Sequence, residues 1–185
     1  MRLMTALMIF GLCLSCAAGP SRPALPGPIR QSIRYQNKAV ALYTKGCYPQ
    51  ALQYFNEAHE RFSAADDQQG VARSLESIAN TQYQMHKLDN ALLIYNEAYE
   101  IYSAIGDMQG SIRSMTNKAA VLVQTDRLTD AESILAQADA RSGPNGTLKA
   151  LRLKTRAMLL LKQDQVQQAG RILCHSGHRF VQALK

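Results

Sequence analysis

The densest run of metal-competent side chains is Cys174-His175-Ser176-Gly177-His178, a thiol and two imidazoles within five residues. Thiolate and imidazole together suit zinc or copper. A structural zinc site needs a second ligand pair, which the neighbouring sequence lacks, and Gly177 breaks any helix that would present the first. No metal site is expected. Cys13 and Cys16 have the C-x-x-C spacing of a redox pair but lie in an apolar leader without a βαβ context. Asp66-Asp67 and Asp107 are candidate acid–base carboxylates, yet they sit in FSAADDQQG and YSAIGDMQG, where turn chemistry accounts for them. Asn145-Gly146-Thr147 matches a glycosylation acceptor but reads, with Gly143-Pro144, as a turn. No Ser-His-Asp set, glycine-rich phosphate loop or paired catalytic carboxylate has supporting context, and His59 and His86 read as a helix surface and a turn. The chain is expected to be no enzyme, with no cofactor and no small-molecule substrate.

The two similar stretches end at Gly70 and Gly110, forty residues apart, and mark a longer repetition. Residues 31–70, 71–110 and 111–150 superpose without a gap. Ala39, Ala79 and Ala119 share a column, as do Ala51, Ala91 and Ala131, and Ala58, Ala98 and Ala138. Phe55, Tyr95 and Leu135 form an apolar column, and Tyr48, Leu88 and Leu128 another. A shorter fourth copy starts at Lys149 and places Leu153, Ala157, Val166, Ala169 and Leu173 in register after a contraction of two residues. Leu75, Ile78 and Ala79, then Ala91, Tyr95 and Ala98, have helical spacing, so each copy predicts two helices. Pro49, Asp89 and Thr129 are expected to open or cap the second helix of each pair. Asp67 and Asp107 are expected to cap the next first helix, with Gly70 and Gly110 at the joint. The alanine columns suit helices whose axes approach closely.

The N-terminus has a different character. One early charge, Arg2, precedes an apolar run from Leu3 to Leu14, too short for a permanent span and suited to a secretory signal. Leu12-Cys13-Leu14-Ser15-Cys16-Ala17 resembles a bacterial lipobox, which implies that Cys16 becomes the lipidated first residue. Cys13 departs from the usual leucine there, and cleavage of an ordinary signal near Ala17-Ala18 is the alternative. Four of the six prolines fall in residues 17–30, an extended spacer. The expected organisation is a signal at 1–15, a lipidated cysteine and tether at 16–30, and a repeat region at 31–177. The repeat units run 31–70, 71–110, 111–148 and 149–177, and 178–185 form a short tail or cap.

The repeat pattern resembles the tetratricopeptide repeat over about residues 31–175. The twelve-then-seven spacing of small residues is present in all three alanine sets, and Phe55 and Tyr95 supply the aromatic four residues after the middle alanine. The early Trp of the family is replaced by Tyr35, Leu75 and Met115. A period of forty rather than thirty-four is similar to the longer-unit subclass, in which the second helix extends. The resemblance implies an all-α, right-handed solenoid of about four helix-turn-helix repeats whose first helices line a concave groove. Groove positions implied by the family are Asn37, Val40 and Tyr43; Arg73, Ser77, Asn80 and Tyr83; and Arg113, Asn117 and Val123. Asn can hold a peptide backbone through both donor and acceptor, and Tyr adds flat apolar area with a polar tip. The carboxylate-clamp version of the groove is not expected. Gln36 and Glu76 stand where its first Lys belongs, and Leu151 and Thr155 replace its later basic pair.

Charge narrows the partner further. Residues 1–50 carry six Lys/Arg and no acid, 51–140 six against thirteen, and 141–185 nine against one. A basic–acidic–basic layout is not the continuous stripe of a nucleic-acid binder. A protein or peptide partner is expected, with membrane attachment through Cys16 at the periplasmic face of a bacterial envelope, and Ala17 rather than Asp after that cysteine resembles the pattern of outer-membrane sorting. A non-catalytic regulatory or carrier subunit of an envelope enzyme complex is the second reading, and a metal-binding envelope protein using the Cys174–His178 cluster is the third. Cys47 and Cys174 lie in the first and fourth repeats, too far apart in a solenoid for a disulfide.

Overall fold

Every helix in the central part of the chain ends the same way, and that ending sets the architecture. In the computed structural model, residues 27–142 and 148–175 are described. They form eight helices: α1 (Gly27–Thr44), α2 (Tyr48–Ala64), α3 (Gln68–Gln84), α4 (Leu88–Ala104), α5 (Met108–Gln124), α6 (Leu128–Ser142), α7 (Lys149–Lys162) and α8 (Val166–His175). α2 to α5 are each 17 residues long and are joined by three-residue turns. The forty-residue repeat is therefore twice a twenty-residue unit of helix plus turn. The middle turn residue is always left-handed: Gly46, Asp66, His86, Gly106, Asp126 and Asp164 have φ between 52° and 76°. Gly, Asp and His tolerate that region better than most residues. Around Gly46 the amide of Cys47 donates to the Leu42 carbonyl and that of Gly46 to Tyr43, and the same pair of bonds recurs at all six turns. This is the Schellman ending, which satisfies the last helical carbonyls in three residues.

The alanine columns lie where the helices cross. Ala39, Ala51, Ala58, Ala79, Ala91, Ala98, Ala119, Ala131 and Ala138 are all fully buried, as are Phe55, Tyr95 and Leu135 beside them. Each such large side chain adds about 1.5–3 kcal/mol through removal from water. α5 packs against α3 and α7 as well as against α4 and α6, whereas no comparable contact joins α2 to α4 or α4 to α6. The odd-numbered helices thus crowd on the inner side of the curve and the even-numbered ones fan out on the outer side. The chain is an all-α helical-repeat solenoid.

Several local expectations change. The second helix is not the longer one, since both helices of a unit have 17 residues; the extra length is shared. Asp67 and Asp107 do cap α3 and α5, accepting from the amides of Gly70 at 2.9 Å and Gly110 at 2.8 Å. Gly70 and Gly110 lie inside the first turn of those helices rather than at the joint. Pro49 occupies the first turn of α2 as expected, but Asp89 lies within the first turn of α4 and caps nothing, because Lys87 holds the cap position without a side-chain bond. Thr129 likewise lies within α6. The signal, Cys16 and most of the tether fall outside the described residues, as do Gly143–Thr147 and Ser176–Lys185. Among the described residues no helix is long and apolar enough to cross a membrane.

Candidate protein-binding groove

On α3, Arg73, Ser77, Asn80 and Gln84 fall on one stripe of the inner face, and Arg113, Asn117, Ala120 and Gln124 repeat it on α5. Between α3, α5 and α7 the inner side opens into a cavity of about 320 Å³. Asn80, Tyr83, Asn117, Leu151, Lys154 and Met158 are among its lining residues, with Tyr95 reaching in from α4. The Tyr95 hydroxyl donates to Asn80 Oδ1 at 2.6 Å, which engages the acceptor of that amide and keeps its Nδ2 as a donor. Asn117 is held the opposite way: its Nδ2 donates to Glu76 Oε1 at 3.4 Å, leaving its carbonyl oxygen as an acceptor. One amide offers a donor and the other an acceptor, the complement that a peptide backbone presents.

The predicted groove residues divide into two groups. Asn80, Tyr83 and Asn117 meet at this cavity, and Tyr43 lies beside it, its hydroxyl bonded with Gln84. Asn37 and Arg73 are exposed on α1 and α3 without reaching it. Arg113 is committed elsewhere. Its Nε donates to Glu76 Oε1 at 2.6 Å and its Nη2 to the Tyr102 hydroxyl at 3.1 Å, while that hydroxyl donates to Glu76 Oε2 at 3.1 Å. Val123 is not a groove residue; it is buried against Leu122, Leu135 and Leu159. Val40 is exposed on α1.

The positions at which a carboxylate clamp would carry its first lysine perform a different task. Gln36 Nε2 donates to Ser77 Oγ at 3.0 Å and Gln36 Oε1 accepts from Ser74 at 3.2 Å, so the side chain joins α1 to α3. Glu76, forty residues on, joins α3 to α5 through Arg113 and Asn117. The column staples successive repeats. Lys154, which sequence reasoning passed over, is the cation at the cavity.

Burial pushes the hydroxyls of Tyr43, Tyr83, Tyr95 and Tyr102 above the ordinary tyrosine value, with the Glu76 charge adding to the rise at Tyr95 and Tyr102. A folded-state value raised above the unfolded one contributes stability that is complete below pH 10 and is lost as pH climbs through it. Urea midpoints are therefore expected to fall between pH 9.5 and 11.5, the buried Tyr95 and Tyr102 each adding at most about 1.4 kcal/mol per pH unit and the half-exposed Tyr43 and Tyr83 less. Tyr95→Phe should flatten that slope by one proton; an unchanged slope would assign the loss to other groups.

Residues 31–104 match the tetratricopeptide repeat family. That stretch spans α1 to α4 almost completely, including two alanine sets and both aromatics that carry the spacing. Repeats of this family hold proteins or peptides and are generally non-catalytic. In fold the chain is similar to the crystal structure of BtubC (BKLC) from P. vanneervenii, with a TM-score of 0.67 at 15% identity. The match covers 81% of this chain and 63% of that one, so the chain spans less than two thirds of BtubC's length. No curated protein matches the sequence. Among the described residues no three His, Cys, Asp or Glu side chains gather as a metal set. Cys174 lies at the exposed end of α8, with Ser176 to His178 outside the described residues, and Cys47 and Cys174 are free thiols.

Proposed function

We propose that the protein is a membrane-anchored scaffold of a bacterial envelope that holds a peptide segment of a partner in its inner groove during assembly of an envelope complex. The observation that carries this reading is the cavity between α3, α5 and α7, where Asn80 presents a donor and Asn117 an acceptor beside Tyr83. The tetratricopeptide repeats of residues 31–104 support the class of partner, a protein or peptide. The lipobox-like sequence before Ala17 and the proline-rich spacer after it support a domain tethered through lipid on Cys16 and held off the bilayer.

A photo-cross-linking residue at position 80 or 117 should capture a partner from intact envelopes, and the same residue at outer-wall position 93 should not. Asn80→Ala/Asn117→Ala should deplete that partner at least about tenfold, as expected when buried polar groups of a ligand lose both hydrogen bonds. A partner recovered equally from both faces would remove the groove. Cys16→Ser should move the protein from the membrane fraction to the soluble periplasm; retention in membranes would remove the lipid anchor and leave the groove untouched.

A further inference from the structure

The charges of the described helices are sorted by side of the solenoid. α1, α3, α5 and α7 carry eleven Lys/Arg and one acid, Glu76, while α2, α4, α6 and α8 carry three Lys/Arg and eight acids. The basic–acidic–basic run along the chain hides this, because each forty-residue unit alternates inner and outer helices. Many inner cations are engaged: Arg113 by Glu76, Arg152 and Arg156 by Asp139, Lys162 by Asp126, Lys118 by Asn96, and Lys38 over the Tyr54 ring. Arg73 on the α3 stripe and Lys154 at the cavity have exposed charged ends and no ion-pair partner among the described residues. Glu76, the one carboxylate on the described inner helices, is buried, one-twentieth exposed, and held by Arg113.

Building on the groove reading, we infer that the segment held there is acidic, with Asp or Glu side chains meeting Lys154 and Arg73 while Asn80 and Asn117 hold its backbone. A helix is about 10 Å across, and screening at physiological salt acts over about 8 Å, so a ligand on the inner face senses the inner helices and little of the acidic wall behind them. A repeated preference for base inside and acid outside thus reaches the ligand as attraction. The contact is with side-chain carboxylates along the segment and needs no free C-terminus, because the positions that would grip a terminal carboxylate are occupied by Gln36, Glu76 and Thr155 and spent on packing. The groove is concave, and its cavity is lined by amides, hydroxyls and apolar side chains around the single cation Lys154, a recess that a peptide can enter and a flat anionic bilayer cannot.

Selection of a random dodecapeptide display library on the full chain tests this without presupposing charge. Selected peptides should carry Asp and Glu at least about threefold over Lys and Arg, and amidating their C-termini should leave binding intact. Arg73→Glu/Lys154→Glu should weaken the best peptide about tenfold, with Lys154→Arg close to the parent, and raising salt from about 50 to 500 mM should weaken the parent complex comparably. Both charge reversals lie on exposed side chains, so an unchanged melting midpoint confirms that folding is intact. Peptides that depend on Asn80 and Asn117 yet show no acidic bias would overturn the inference and leave the groove reading standing. Peptides indifferent to those asparagines, or no selected peptide at all, would overturn both. Binding to phosphatidylglycerol vesicles that Arg73→Glu/Lys154→Glu abolishes, with no acidic peptide selected, would assign the inner charge to lipid.

Discussion

Arg113→Met is expected to lower stability by about 3 kcal/mol, the largest loss from any single polar side chain in the groove wall. Glu76 is almost completely buried, and its two oxygens depend on three donors: Arg113 Nε at 2.6 Å, the Tyr102 hydroxyl at 3.1 Å and Asn117 Nδ2 at 3.4 Å. The substitution removes the shortest of these and the only neutralising charge, and Tyr102 loses the guanidinium that donates to its hydroxyl. Uncompensated buried carboxylates cost about 3–5 kcal/mol, and the partial exposure of Arg113 places this case toward the lower end because water can follow the guanidinium out. Replacing both ends, Glu76→Gln/Arg113→Met, should recover more than half, since a neutral amide no longer needs the cation. Asn117→Ala, deleting only the long bond, should cost about 1 kcal/mol or less. Urea midpoints of the four proteins rank these directly. A loss below about 1 kcal/mol for Arg113→Met would mean that the repeats are held by their apolar contacts alone and that Glu76 is no staple.

The same residues show what the amino-acid pattern reveals and where it stops. Periodicity identifies buried positions well, because a helix repeats its inward face every 3.6 residues whatever its neighbours do; all nine alanines and Phe55, Tyr95 and Leu135 are buried as their columns imply. The turns were half visible. Gly46 and Gly106 announce a left-handed residue, but His86, Asp126 and Asp66 adopt the same conformation, and the twenty-residue period becomes plain only when their dihedrals are compared. Groove membership was least visible. Arg113 and Arg73 share a column, yet one is drawn to Glu76 and the other is left free, because forty residues earlier the Glu76 position is held by Gln36, whose partner is Ser77 rather than an arginine. A one-residue difference in a neighbouring repeat decides whether a cation is available to a ligand. Lys154 was hidden for another reason: its repeat is shortened, and a column alignment gives no sign that α7 swings toward α5.

Gly110→Ala is expected to destabilise by about 2 kcal/mol, against the sign that helix propensity alone would give. Alanine is the better helix former by about 1 kcal/mol, and Gly110 lies in the first turn of α5 with ordinary helical dihedrals, so without neighbours the substitution should stabilise. The neighbour is the Tyr102 ring, against which the glycine is seated so closely that an added Cβ would collide with Cδ1; Phe62 stands over Gly70 in the same way. Tyr102 is fully buried and its hydroxyl is tied to Glu76 and Arg113, so the ring cannot move aside without breaking the staple between repeats. That makes Gly110→Ala costlier than Gly70→Ala, where Phe62 has no hydroxyl to lose. Gly106 provides the contrast. Its Cβ would meet nothing, and Gly106→Ala should cost only about 1 kcal/mol for its left-handed φ. Shrinking the ring supplies the decisive control: in Tyr102→Leu the alanine at 110 should be tolerated, giving a coupling of at least about 1 kcal/mol in the double-mutant cycle. The third junction has already made that exchange, with Ser142 in the aromatic column and Leu148 packed onto Ile112, Met115 and Ala138. The stretches FSAADDQQG and YSAIGDMQG are thus aromatic–glycine contacts between successive helices, and additive losses in the cycle would refute that reading.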